Sequence, residues 1–215
     1  KEGGKSELVH WSSKYGEVDQ VLGRDKGKLN EVHDFVILKE GLEETIISGD
    51  ITLNKLICFS LDWNVLSDWE KKGFYPSAIV NDPIYENEFW VLDRRVDKQS
   101  FLYHFEFVAG RINLRKVFLT SIPVDRSELG TEVLLTVSKS KNGDRLFAFG
   151  DIVNNCIYEY SYDGIKLSEL SRYESASQPN ARVKLDGMND IFYVNHQGDV
   201  GLYVLNNHHS VLSVR

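Results

Sequence analysis

The chain has 215 residues, of which 42% are hydrophobic and 12% are aromatic, so it can bury a sizeable core and disorder is not expected. Its 32 acidic residues outnumber its 25 basic residues, and the net charge is −7. The longest basic clusters are pairs, which argues against direct nucleic-acid binding because such binders usually carry a concentrated basic face.

The N-terminal segment predicts two strands, 7–12 and 18–22, joined by a Tyr-Gly turn. The sequence starts with Lys1 and not with methionine, so we expect it to be either processed or an excerpt of a longer chain, and we favour the excerpt.

From residue 31 onward, one pattern of short apolar strands recurs four times. The runs are rich in Val, Ile, Phe and Tyr and are bounded by Asp, Asn and Gly, which is typical of strands. Segment 64–72 could instead form a short helix. The predicted strands are 31–38, 44–50, 55–62 and 65–69; 77–80, 88–93, 101–105 and 112–119; 132–137, 145–149, 156–160 and 166–173; and 181–185, 190–195, 201–205 and 209–214.

The spacing of the pattern predicts the architecture. The matched apolar positions Leu56, Leu102, Ile157 and Leu202 lie 46, 55 and 45 residues apart, and the loop 120–130 accounts for the longer interval. A blade of a β-propeller has four strands in about 40–50 residues. We therefore predict a single all-β domain, a β-propeller of about four whole blades plus half of another. The half blade is 1–30, and the blades are 31–73, 74–122, 123–175 and 176–215.

The third repeat carries a resemblance to a known family. Its turns are Asn142-Gly143, Gly150-Asp151 and Tyr162-Asp163, and Ser48-Gly49-Asp50 and Asp62-Trp63 match them in the first repeat. Over residues 31–205 the chain resembles the WD-repeat propellers, although the Trp-Asp and Gly-His dipeptides typical of those proteins are absent. The resemblance implies a protein-binding scaffold.

A wheel with a missing half blade would leave an unpaired sheet edge, which is an aggregation hazard. We therefore expect this chain to be part of a larger propeller, completed either by upstream strands of a longer chain or by a partner protein.

Asp50, Asp93 and Asp151 recur at the end of the second strand of each repeat. They could form a ring of carboxylates that binds a cation. Alternatively, each could accept backbone N–H bonds in its own turn, and their repetition favours that structural role. We predict no metal site.

The sequence shows no catalytic motif. It has no Gly-x-Ser-x-Gly elbow, no His-Glu-x-x-His and no phosphate-binding glycine loop. His104 lies between two aromatic residues and is expected to be a packed or edge-facing residue rather than a general base. The adjacent pair His208 and His209 would point to opposite faces of a strand. We predict neither catalytic residues nor a cofactor.

The remaining candidates are aromatic residues between the first and second blades. Trp69, Phe74 and Tyr75 are expected on the same face as Arg94 and Arg95, where they would form an anchor cluster for a protein partner. Alternatively, Trp69 and Phe74 pack between blades and the arginines are solvated.

These observations favour a non-catalytic protein–protein interaction platform, a subunit or domain of a multi-protein complex. The alternative is a propeller enzyme or small-ligand sensor with its site at the central channel mouth. Cys58 and Cys156 are expected to be buried free thiols. We expect an intracellular setting, in the cytoplasm or nucleus, and partners that are proteins, with no direct contact to nucleic acid or membrane.

Overall fold

The computed structural model describes residues 8–12, 17–22, 29, 32–41, 43–94, 100–122, 133–174, 185, 187–196, 199–206 and 211–213. These residues form seventeen strands. They are β1 (Leu8–Ser12), β2 (Glu17–Leu22), β3 (Val32–Glu40), β4 (Glu43–Asp50), β5 (Lys55–Ser60), β6 (Val65–Glu70), β7 (Pro76–Asn81), β8 (Glu88–Arg94), β9 (Ser100–Val108), β10 (Arg111–Thr120), β11 (Val133–Lys139), β12 (Arg145–Asp151), β13 (Cys156–Tyr162), β14 (Leu167–Glu174), β15 (Met188–His196), β16 (Asp199–Asn206) and β17 (Val211–Ser213).

The strands form five antiparallel sheets, each built from consecutive strands. The first is the β1–β2 hairpin, and three four-stranded sheets follow: blade 1 (β3–β6), blade 2 (β7–β10) and blade 3 (β11–β14). Blade 4 contains β15, β16 and β17. The all-β prediction is confirmed, and segment 64–72 contains a strand where a short helix was the alternative. Among the residues that the structure describes, no helix has the length and apolarity to cross a membrane.

Local chemistry explains where the strands turn. The second strands β8 and β12 are buried along their whole length because both faces pack against neighbours. Each of the turns that follow β4 and β12 ends in an asparagine with positive φ, Asn54 at 57° and Asn155 at 48°. Asparagine tolerates this left-handed conformation better than most residues, so a tight turn forms there without glycine.

The blades stack side by side through apolar cores. Strand β3 packs against β7, β7 against β11, and β11 against β15, so these are the inner strands. One core lies between blades 1 and 2 and contains Ile47, Phe89 and Phe105. A second lies between blades 2 and 3 around Trp90 and Phe147. The apolar faces between adjacent blades are therefore buried by contact of one blade with the next.

The assignment of strands within the fourth repeat needs a correction. We predicted that 190–195 is the second strand and 181–185 the first, but β15 is the inner strand of blade 4. Ile191 of β15 lies against Gly150 of β12, as Ile79 of β7 lies against Gly49 of β4. Leu185, the described residue of the predicted first strand, lies outside the strands. Leu202 therefore belongs to the second strand of its blade, whereas its three counterparts belong to the third.

Candidate functional site: a buried ion-pair cluster between blades 2 and 3

The repeated aspartates mostly close their own turns. A carboxylate oxygen of Asp50 accepts a hydrogen bond from the Leu53 N–H at 2.9 Å, and Asp151 accepts one from the Asn154 N–H at 3.1 Å. Asp93 differs, because it accepts from the Tyr75 N–H at 2.9 Å and so joins the start of blade 2 to the end of β8.

A different polar group converges inside the molecule. Asp82 follows β7, Glu88 begins β8 and His104 lies in the middle of β9, and all three are buried. One ligand atom of each lies within 4.8 Å of the others. Among the described residues this is the one group of histidine, cysteine and acidic side chains close enough to hold a metal ion, and it contains none of the repeated aspartates.

Arg145, at the start of β12 in blade 3, closes the cluster. Its guanidinium pairs with both oxygens of Asp82 and lies 3.5 Å from Glu88. Asp82 also accepts from the Trp90 indole at 2.7 Å and from the backbone N–H of Ile84 at 2.8 Å. Burial alone would raise the pKa of Asp82, but the hydrogen bonds from Arg145, Trp90 and the backbone outweigh it and lower the pKa.

His104 is held on two sides. Its ring stacks on the Trp90 indole, with centroids 4.0 Å apart and planes 2° apart, and its Nε2 lies 2.8 Å from Glu88. Burial lowers the pKa of His104 below its usual value, although the hydrogen bond to Glu88 opposes this shift. The imidazole is therefore neutral at pH 7, and its Nε2–H donates to the carboxylate.

This arrangement suits a structural role better than that of a metal or catalytic site. Its paired charges hold blade 2 against blade 3, and we call this a structural lock. A nitrogen and two carboxylates could in principle ligate a transition metal. However, the Arg145 guanidinium already contacts both carboxylates, and a second cation there would be repelled. A depression of about 410 Å³ does lie on blade 1, but it is lined by Thr52, Leu53, Asn54, Glu70, Lys71 and Lys72, none of which belongs to the cluster.

Two basic residues of β10 connect the cluster to the surface. The Arg115 guanidinium lies 3.4 Å from Glu88 and 3.2 Å from Glu106. The Lys116 ammonium donates to the Tyr162 hydroxyl at 2.9 Å and to the carbonyl of Gly164 at 2.8 Å. Through these contacts the outer strand of blade 2 is tied to blade 3.

The predicted partner-binding residues are only partly brought together. Phe74 is fully buried, and its ring packs edge-on against the half-buried Trp69 with centroids 5.0 Å apart. Phe74 is therefore packed inside the protein, as the alternative to partner binding stated, and its side chain offers no surface to a partner. Tyr75 is half-buried and its carbonyl accepts from the Arg94 N–H at 3.1 Å, and Arg95 lies outside the described residues.

Arg94 is not solvated as the alternative reading assumed. Its side chain is buried, and burial lowers the pKa of the guanidinium, opposed by attraction to Asp151 in blade 3. A partner-binding role for this face remains a prediction.

The sequence contained weak signals for the cluster. His104 and Arg145 are polar residues inside or beside apolar strand runs, where unpaired charge would be costly. Neither signal says which residues would pair, because Asp82 and Arg145 are 63 positions apart.

Comparisons with known proteins agree on the fold. No family model and no curated protein matches the sequence. Among solved structures, the chain is similar to the Dos1 propeller, with a TM-score of 0.60, 10% identity, and coverage of 96% of this chain and 51% of that one. It is similar to BBS1N in complex with ARL6DN, with a TM-score of 0.57, 11% identity, and coverage of 98% and 58%.

A third similar structure is streptogramin B lyase, with a TM-score of 0.52, 15% identity, and coverage of 98% of this chain and 62% of that one. The chain thus spans a little over half the length of these structures. At such low identity, the likeness shows the fold alone. Together with the stacked antiparallel blades, it shows that the chain is a divergent β-propeller.

Proposed function

We propose that the chain is a non-catalytic protein-interaction platform. The observation that carries the proposal is an apolar surface on blade 1, which we call the flank and define as Phe35 and Ile37 of β3. Their exposed fractions are 47% and 44%. Both belong to the inner strand, and in the inner strand of blade 2 the apolar residues Ala78 and Ile79 are buried.

The register of blade 1 shows which way the flank faces. Phe35 pairs with Ser48 and Ile37 with Ile46, whereas the intervening Val36 pairs with Ile47. Val36 and Ile47 belong to the core shared with blade 2. The flank therefore lies on the side of the sheet turned away from blade 2, where its apolar side chains could be covered by another polypeptide.

Blade 4 shows a similar surface at the other end of the stack. Ile191 and Tyr193 of β15 pack toward blade 3, so the alternating residues Phe192 and Val194 point the other way. Val194 is exposed, and Phe192 stacks on Tyr203 with centroids 5.9 Å apart. Two apolar sheet faces in one chain support a role in assembly with other polypeptides.

The cluster between blades 2 and 3 supports the non-catalytic part of the proposal. Its charged groups are paired with one another, and His104 is covered by Trp90 on one face. An acid–base pair that serves a substrate needs a position from which it can reach that substrate.

The intracellular setting also remains a proposal, supported by the two free cysteines, both of which are buried.

Affinity purification from cells with quantitative mass spectrometry tests the platform. We expect the wild-type chain to retain at least one protein that is depleted several-fold from the Phe35→Ser/Ile37→Ser variant. Leu61→Ser is the matched control, because Leu61 is an equally exposed apolar residue in the turn between β5 and β6. Equal recovery by all three proteins, once circular dichroism has shown that they are folded, would contradict the proposal.

A further inference from the structure

We propose that strand β10 is a second binding surface. Its occupant is an extended segment of another protein in which apolar and acidic residues alternate, and the segment binds by adding a strand to the sheet of blade 2. The inference rests on the proposed function and names a partner chemistry for it. At ten residues, β10 is the longest of the described strands, and it is the outer strand of blade 2. No described strand pairs with its outer edge, so a strand from another chain can be hydrogen-bonded there.

One face of β10 is an exposed apolar row. Leu114, Val117 and Leu119 pair with Phe105, Tyr103 and Phe101, the side chains that face blade 1. The three members of the row are 41%, 41% and 62% exposed. Since side chains alternate along a strand, an added strand would place every second residue over this row.

The opposite face of β10 is basic. Lys116 pairs with His104, and Arg115 reaches Glu88 and Glu106 on the same side. Lys116 bonds two uncharged oxygens and, among the described residues, makes no ion pair, so no contacting carboxylate balances its charge. Arg111 also lies on this face, because it pairs with Val108.

The two faces together define the partner. Residues of an added strand that point to the row are best apolar, and those that point to Arg111 and Lys116 are best acidic, whereas Arg115 is already paired with Glu88 and Glu106. The charge of β10 is unusual in this chain, since it has three basic residues and no acidic one although the chain carries a net charge of −7.

The outer strands of the adjacent blades lack this combination. β6 contains Asp68 and Glu70 and no basic residue, and β14 contains Glu169 and Glu174 but only one basic residue, Arg172. A carboxylate on an arriving strand would be repelled at those edges. A lysine and a bulge commonly protect an edge strand, and β10 has both, with Arg115 at the bulge. Lys116 would repel a basic strand, whereas an acidic strand gains from it.

Selection from a random-peptide phage library on the purified full chain tests the inference. We expect enrichment of peptides in which apolar residues alternate with Asp or Glu. Binding of an enriched synthetic peptide, followed by fluorescence anisotropy, should weaken about tenfold or more in Val117→Lys/Leu119→Lys and several-fold in Lys116→Glu. Leu170→Lys on β14 is the matched control and should bind like the wild type.

Strand addition has its own readout. In an added strand, the N–H groups of every second peptide residue donate to β10 and the others point away from it. N-methylation of the residues that donate to β10 should therefore abolish binding, whereas N-methylation of the alternate residues should not. Enriched peptides without the alternation, or peptides that bind all variants equally, would overturn the inference. Because this assay uses the purified chain alone, its failure leaves the cellular test of the flank unaffected, and the reverse also holds.

Discussion

Replacing Arg145 by methionine tests whether the cluster is a structural lock between blades 2 and 3. Methionine keeps the length and apolar stem of the side chain but removes the guanidinium. Asp82 would then keep its bonds from Trp90 and from two backbone N–H groups, at 2.7, 2.8 and 3.0 Å, but would lose its only described ion pair. Glu88 would keep His104 and Arg115.

The size of the effect follows from the burial of the partners. The side chain of Arg145 is 8% exposed and that of Asp82 is 0% exposed, so solvent cannot replace the lost contact. Removing one partner of a buried ion pair typically costs about 3–5 kcal/mol. Because three hydrogen bonds to Asp82 remain, we expect the lower end, about 3 kcal/mol. In a chain of this size that corresponds to a fall in Tm of about 6–12 °C.

Urea unfolding followed by tryptophan fluorescence measures this loss, since Trp90 lies in the cluster. The control is Lys39→Met. Lys39 pairs with Glu44 at 3.3 Å, and both side chains are well exposed, so loss of this surface ion pair should lower the free energy of unfolding by only about 0–1 kcal/mol. The double variant Asp82→Asn/Arg145→Met should be destabilised by less than the sum of the single variants, because it leaves no unpaired charge at Asp82. Equal, small losses in Arg145→Met and Lys39→Met would refute the reasoning.

Further predictions concern acid sensitivity, packing and thiol reactivity. Burial lowers the pKa of His104 in the folded chain, so on acidification the histidine is protonated more readily in the unfolded chain. The free energy of unfolding should therefore decrease as the pH falls below about 6.5. His104→Gln should reduce this loss in urea titrations at successive pH values. At Gly49, an added Cβ would lie 2.8 Å from the Cβ of Pro76, so Gly49→Ala should lower stability by about 1–3 kcal/mol in thermal denaturation. Burial raises the pKa of the Cys58 thiol to about 11, so Ellman's reagent should modify Cys58 at pH 8 only after unfolding. Rapid reaction of Cys58 in the native chain would contradict this prediction.

The strands of the first three blades were predictable because their signals are local. Polar turns such as the one after Asp50 bound apolar runs of strand length, and the predicted and observed limits agree within a few residues. The fourth repeat shows the limit of this reasoning. Strand β15 has the apolar composition expected of a second strand, and its packing against β11 together with its contact with Gly150 identifies it as the inner strand.

The cluster could not be predicted because its members come from four strands or turns. Asp82 before Pro83 looks like an ordinary turn residue, and Arg145 looks like a solvated residue at the start of a strand. Their pairing depends on how blade 3 stacks on blade 2. The prediction for His104 succeeded, because a histidine flanked by two aromatic residues is packed whichever partners it has.

The cluster and strand β10 are parts of one arrangement. Glu88 is the shared residue: it contacts Arg145 of blade 3, His104 of the neighbouring strand β9 and Arg115 within β10. The basic face of β10 is therefore held in position by the same contacts that lock the two blades. A surface that is ordered before its partner arrives loses less conformational entropy on binding. Hence these buried ion pairs would serve the proposed interaction platform, because they hold charged side chains of the edge strand in position for an incoming segment.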